Sequence, residues 1–334
     1  MKMSDIAKLA GVSKATVSRV INNSQNVSSE LKAKVEKVLI ETGYKPNLLA
    51  QELATNKTNM IGIVLPNIGI DTFSSITEGI TDILDSKGYN VLLANSNGSI
   101  EKEVEYIKIF NRKQVDGIII FPVDITEGHI ETIESINVPV VVIGQENENL
   151  QVSSVLYDDF NAVKDITELL IHNGHKKIAY IGLDDRRESI GKLRRIGYTE
   201  AMKSSQIAIQ NEYIQIGSLS ILSGYESMKH IIERNKELPT AVVAATDRLA
   251  IGAMNYLKEK NIKIPEEVSV VGIDNMEISS IIEPNLTTVN FDYKKSGEKA
   301  AEMILNKIEL KSKDNERYVL GYDIIRRKSE RLLK

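Results

Sequence analysis

The amino-acid sequence predicts an α/β protein in three parts. A small all-helical unit occupies residues 1–46, a short connecting helix lies within 47–58, and a two-lobed α/β body fills 59–334. Three observations carry this. Apolar residues near the N-terminus recur at helical spacing. From Met60 onward, short β-rich runs alternate with amphipathic stretches, the pattern of a parallel sheet with helices on both faces. Charge is also segregated: residues 1–57 hold nine Lys and Arg against five Asp and Glu, a net +4, which leaves −8 on the remainder.

The stretch from Asp5 to Asn23 reads as two short helices joined by a tight turn. Ile6, Leu9 and Ala10 recur at helical spacing, Gly11 supplies a permissive turn, and Ser13 stands where its side-chain oxygen caps a second helix. At about 100° per residue, Lys14, Ala15, Ser18, Arg19 and Asn22 share one face of that helix. Val17, Val20 and Ile21 share the other. Ala7 and Ala10 let the helices cross closely, while Ala15 and Ser18 let the second one sit deep in a groove. The DNA major groove admits one α-helix and is read by side chains near its N-terminal end, so the polar face is a candidate reader of bases.

A third helix follows, with Ser28 as its cap, Glu30 in its first turn and Leu31, Val35, Val38 and Leu39 as its apolar stripe. It ends at Gly43-Tyr44-Lys45-Pro46-Asn47. Asn47 then caps a segment, LLAQELA, too short to hold a helix without partners.

In the body, strands are expected at IGIVLP from Ile61, NVLLAN from Asn90, GIIIFP from Gly117 and VPVVVIG from Val138. A second series comprises KIAYIG from Lys177, TAVVAAT from Thr240 and VSVVGID from Val268. Helices are expected near 73–86, 101–113, 126–136, 159–173, 190–204, 220–234 and 247–259. Ligands of open α/β sheets bind beyond the carboxyl ends of the strands. That rule picks out Asn67 to Phe73, Asn95, Gln145, Asp158, Asp159, the region from Arg186 to Arg194, Thr246 with Asp247, and Asp274. Carboxylates, amides and arginines with few aromatics suit a polyhydroxylated ligand.

AGVSKATVSRVINN, VSSELKAKVEKVLIETGYKPNLLAQELA and IGIVLPNI together resemble the LacI/GalR family of transcriptional regulators, and the resemblance runs through essentially the whole chain. It implies a helix-turn-helix DNA-binding domain, a hinge helix and a periplasmic-binding-protein-like body. The implied protein is a homodimeric repressor on a pseudo-palindromic double-stranded operator. In it the helix from Ser13 to Ile21 enters the major groove, and Asn47 to Ala54 form a hinge helix in the minor groove with Leu53 as the wedge. Lys14, Ala15, Ser18, Arg19 and Asn22 then face bases, while Ser13, Asn47 and Ala54 position the backbone. Lys2 departs from the family, which has Thr or Ser there, so the first turn is expected to fray.

The resemblance also implies roles in the body. GKLRRIGY gives Arg194 to a sugar with Tyr198 packed behind it. ATDRLAIGAM gives Thr246 to the ligand and Asp247 to a cap, VVGIDN gives Asp274 to ligand hydroxyls, and FDYKKSG gives Tyr293 a stacking or gating place. By the strand-end rule, Phe73 and Gln145 face them from the first lobe. YDDFNAV, GHKKIAYIG and GKLRRIGY look most like the branch that senses disaccharides or their phosphates, such as the trehalose and sucrose regulators. Arg186, Arg187, Lys192 and Arg195, near Arg194 in the same loop, are a candidate phosphate seat.

Other classes fit less well. A sugar transport receptor shares the body but needs an export signal and has no use for a basic helix-turn-helix. An enzyme would want GxxxxGK[ST], GxSxG or a metal cluster, and none is present. With no cysteine there is no disulfide or thiolate metal site, and the four His make no ligand spacing. No cofactor or metal is expected. The lack of a leader or a long apolar run predicts a cytoplasmic protein without membrane contact. An ending without leucine heptads predicts a dimer rather than a tetramer. A purine-responsive or corepressor-responsive regulator of the same fold is the nearest alternative.

Overall fold

The structure, a computed structural model, describes residues 1–21, 27–44, 57–185, 188–235, 237–312 and 314–333. It divides into two compact units, Met1–Thr58 and Asn59–Lys334. Asn22, Asn47, Leu53, Ala54, Arg186 and Arg187 lie outside the described residues.

In the first unit, α1 (Met3–Ala10), α2 (Lys14–Ile21) and α3 (Ser29–Thr42) enclose a core of Ile6, Ala7, Val17, Val20 and Val35. Gly11 ends α1 at φ +65°, a conformation costly for a residue with a Cβ, and the Val12 N–H turns back to the Ala7 carbonyl at 3.0 Å. Ser13 caps α2 by accepting from the Thr16 N–H at 3.0 Å. The fraying expected from Lys2 is not seen, because the Asp5 carboxylate reaches back to accept from the Lys2 backbone N–H at 2.8 Å. Leu9 departs from the expected stripe: so narrow a three-helix core is filled by Ile6 and Ala7, and Leu9 is left 60% exposed.

The second unit begins with β1 (Met60–Leu65), α4 (Asp71–Ser86), β2 (Asn90–Asn95), α5 (Ile100–Arg112), β3 (Gly117–Ile120), α6 (Glu127–Glu134), β4 (Val140–Ile143) and β5 (Ser153–Tyr157). There follow α7 (Asp159–His172), β6 (Ile178–Leu183), a π-helical turn (Glu188–Leu193), α8 (Arg194–Ser204), β7 (Ile214–Gly217), α9 (Ile221–Arg234), β8 (Ala241–Ala244), α10 (Asp247–Glu259), β9 (Ser269–Ile273) and β10 (Thr287–Phe291). The described chain closes with α11 (Tyr293–Glu309), β11 (Arg317–Leu320) and β12 (Tyr322–Ile325).

Two six-stranded sheets result, ordered β11-β5-β4-β3-β1-β2 and β12-β10-β9-β8-β6-β7. Pairing is parallel except for β12 on β10. Central strands such as GIII and AVVA are buried along their whole length, as strands covered on both faces must be.

None of β5, β7, β10, β11, β12 or α11 is among the elements expected from sequence, and they change the topology. The chain leaves the first sheet after β5, returns to pack α11 on α4, adds β11 to the first sheet and then β12 to the second. Three segments therefore join the lobes, and the lobes are not consecutive in sequence.

Each lobe has one close helix crossing made possible by paired glycines. A Cβ on Gly297 of α11 would lie 2.0 Å from the Ile76 carbonyl oxygen of α4, and one on Gly79 would lie 2.0 Å from that of Lys294. Gly224 and Gly252 play the same part between α9 and α10. On an open helix face Gly→Ala stabilises by roughly 0.5–1 kcal/mol. Here the sign reverses: Gly297→Ala is expected to cost about 1–3 kcal/mol, because the rigid backbones must part. Urea unfolding tests this, and an unchanged or raised midpoint would contradict it. Among the described residues, no helix is long and apolar enough to cross a membrane.

Candidate ligand cleft and candidate nucleic-acid face

The carboxyl ends of the strands in both sheets open onto one cleft. Phe73, Gln145, Arg194, Thr246, Asp274 and Tyr293, named from sequence, all line it. Asn95 does not; its amide donates to Asn97 within a turn at 3.0 Å.

Arg194, the first residue of α8, is only 1% exposed. Its Nε donates to Asp159 Oδ1 at 2.6 Å, and its Nη1 donates to the Ala245 carbonyl and, at 3.3 Å, to Asp274 Oδ1. Asp274 also accepts from the Tyr293 hydroxyl at 2.7 Å. Burial pushes the Asp159 and Asp274 carboxyls up, and the Arg194 charge opposes that push. Arg194 is thus a buried junction among carboxylates rather than a free donor fork at the surface. Tyr198 lies behind it, stacked on Tyr180 with ring centroids 4.9 Å apart and its hydroxyl on the Ile178 carbonyl.

Asp247 does not cap α10. That role falls to Thr246, whose hydroxyl oxygen accepts from the Leu249 N–H at 3.3 Å. The fully buried Asp247 carboxylate instead accepts from the Met276 N–H and from the Ser279 and Thr288 hydroxyls. Burial, with the Asp274 charge nearby, pushes its pKa up to about 7. These bonds fasten the turn after β9, where Asp274 has φ +116° and Asn275 has φ +51°. Such backbone persists only where its surroundings over-determine it.

On the first lobe, the Gln145 amide donates to the Val123 carbonyl at 2.8 Å, which leaves the oxygen of this cleft-lining side chain as an acceptor. Phe73 meets Phe121 edge-on at 5.7 Å, and Tyr157 meets Tyr293 at 5.3 Å. Phe121, Tyr157 and Arg248 also line the cleft and are not among the residues that the sequence points to. Arg248 had a signal, since it follows Asp247 at a strand end. The two rings had only weak signals, because Phe121 reads as the end of a buried run and Tyr157 closes an unexpected strand. The cleft is consequently more aromatic than the composition suggested.

In the first unit, Val17 and Val20 are buried while Ser13, Lys14, Ala15 and Arg19 are exposed and Ser18 is half-buried. One face of α2 is therefore polar, basic and unhindered by bulky side chains near its N-terminus.

Comparison with known proteins agrees in its coverage. The family model described as bacterial regulatory proteins, lacI family, matches residues 2–47, and that of a periplasmic binding protein-like domain matches residues 167–330. The HTH-type transcriptional regulator RegA of Clostridium saccharobutylicum is 36% identical over 97% of this chain and 98% of its own. The HTH-type transcriptional repressor PurR of Histophilus somni is 31% identical over 98% of each. Among solved structures, the lac repressor dimer bound to operator and the anti-inducer ONPF superposes with a TM-score of 0.89 at 26% identity, over 98% of each chain.

Proposed function

Because the chain belongs to the lacI family of bacterial regulatory proteins, and is accordingly a DNA-binding transcriptional repressor with a ligand-binding domain, we propose that a sugar-type effector in its cleft controls operator affinity. The observation that carries this is the convergence of Gln145 from one lobe with Arg194, Thr246 and Asp274 from the other on a single cleft. The Gln145 oxygen and the Asp274 carboxylate are acceptors and the Thr246 hydroxyl is a donor, a set suited to adjacent hydroxyls.

Residues 1–46 are proposed as the DNA-binding domain, 47–58 as hinge and linker, and 59–334 as the effector-binding and dimerisation body. A ligand held by both lobes favours one relation between them. By linkage, effector and operator then change each other's affinity by the same factor. A homodimer on a pseudo-palindromic operator is proposed from the repressor dimer to which the chain is similar.

The purine reading keeps one specific support: Phe73, Phe121, Tyr157 and Tyr293 put four rings on the cleft, and rings stack on bases. A thermal-shift panel of disaccharides, their 6-phosphates and purines separates the readings. If only purines shift the melting, the sugar reading falls.

For the DNA face, Arg19→Ala is expected to cost about 1–3 kcal/mol of operator affinity if Arg19 makes a bidentate base contact. Binding should also weaken with salt. Sites selected by the full chain from random duplexes provide the probe. Unchanged affinity of the Ala variant for them would remove Arg19 from the reading face.

A further inference from the structure

Most polar groups lining the cleft are already satisfied by the protein. Arg194 is held by Asp159, Ala245 and Asp274, and the Gln145 amide by Val123. Arg248 is different. In the first turn of α10, its Nη2 crosses the cleft to donate to the Gly69 carbonyl at 3.1 Å. The same nitrogen lies 3.7 Å from Asp71 Oδ1, an exposed carboxylate of the same lobe as Gly69. Its Nε is buried and makes no hydrogen bond. A buried N–H on a charged group is costly to leave unmatched, so the site is shaped for an acceptor.

Charge gives that acceptor a sign. Arg194 sits against two carboxylates, one fully buried and one nearly so, whereas the carboxylate nearest Arg248 lies 3.7 Å away and is exposed to water. In the loop named from sequence as a phosphate seat, Arg195 is committed to Asp185 by two hydrogen bonds. Arg248 is therefore the lining cation with the least compensated charge among the described residues.

Resting on the reading that the cleft holds a sugar-type effector, we infer that Arg248 reads an oxyanion on that sugar, a phosphate or a carboxylate. Nε–H binds the oxyanion while Nη2 keeps its hold on Gly69. One guanidinium then joins ligand occupancy to lobe closure, and a charge-assisted hydrogen bond discriminates the acidic sugar from the neutral one.

The test is calorimetry on the full chain with matched probes: glucose, glucose 6-phosphate and glucuronate; trehalose and trehalose 6-phosphate; sucrose and sucrose 6-phosphate. An acidic member is expected to bind at least about tenfold more tightly than its neutral partner, the scale of one charge-assisted bond. The glucuronate and phosphate arms identify which oxyanion is read. Arg248→Gln should erase that preference, and Asp71→Asn, which removes the competing carboxylate, should increase it. The inference is overturned if no acidic probe binds, if acidic and neutral partners bind alike, or if Arg248→Gln keeps the preference. A neutral sugar whose binding is weakened by Asp274→Asn but not by Arg248→Gln would leave the effector cleft standing and remove only the oxyanion. Binding of purines alone, in the thermal-shift panel, would remove both.

Discussion

Arg194→Ala is expected to lower folding stability by about 3–5 kcal/mol, the scale of breaking one side of a buried ion pair. The substitution leaves Asp159, fully buried, and Asp274, nearly so, without their cation. One oxygen of Asp159 already lacks a hydrogen-bond partner. The pH dependence follows from the sign of the shifts. Burial already holds both carboxyl pKa values above their ordinary value, and loss of Arg194 raises them further. A carboxyl whose folded pKa exceeds its unfolded one favours the folded state only at low pH, and that contribution is lost as pH rises through the folded value. The deficit of the variant should thus be largest at neutral pH and shrink as pH falls toward the carboxyl range. Urea unfolding across that range checks it, and a gap that does not change with pH would place the damage elsewhere. Loss of effector response in this variant is not by itself evidence of a ligand contact, so Asp274→Asn is the cleaner probe of the cleft.

Asp247→Ala should be nearly as damaging, about 3 kcal/mol or more, because each stranded buried donor costs roughly 1–3 kcal/mol and two are stranded. They are the Met276 N–H and the Ser279 hydroxyl, while the Thr288 hydroxyl falls back on its longer bond to the Val289 carbonyl. A functional loss should accompany it, since these bonds hold the turn in which Asp274 keeps its positive φ. Asp247→Asn should be intermediate, as its amide keeps one acceptor for Thr288 but sets N–H against N–H at Met276. Scanning calorimetry paired with effector titration measures both effects. An Ala variant with wild-type melting and undiminished effector binding would show that the turn holds itself.

By itself the sequence determines a good deal of this protein. The helix-turn-helix is legible because Gly11, Ser13 and the Val17–Val20 face act within one or two turns of chain, where spacing is geometry. The central strands are legible because strands covered on both faces are continuous apolar runs. The strand-end rule likewise finds Gln145, Thr246 and Asp274, because each directly follows or closes an apolar strand run.

Only the tertiary structure decides which groups meet across long separations. Short strands such as Ser153–Tyr157 and Ile214–Gly217 carry too little pattern to stand out alone. The return of α11 to the first lobe depends on Gly79 and Gly297 lying opposite one another, a pairing without any local signature. Arg194 reads in sequence as an available donor, and Asp247 as a helix cap. Folding surrounds the first with Asp159 and Asp274 and turns the second toward Ser279 and Thr288, because a charge removed from water must find its partners wherever the chain brings them.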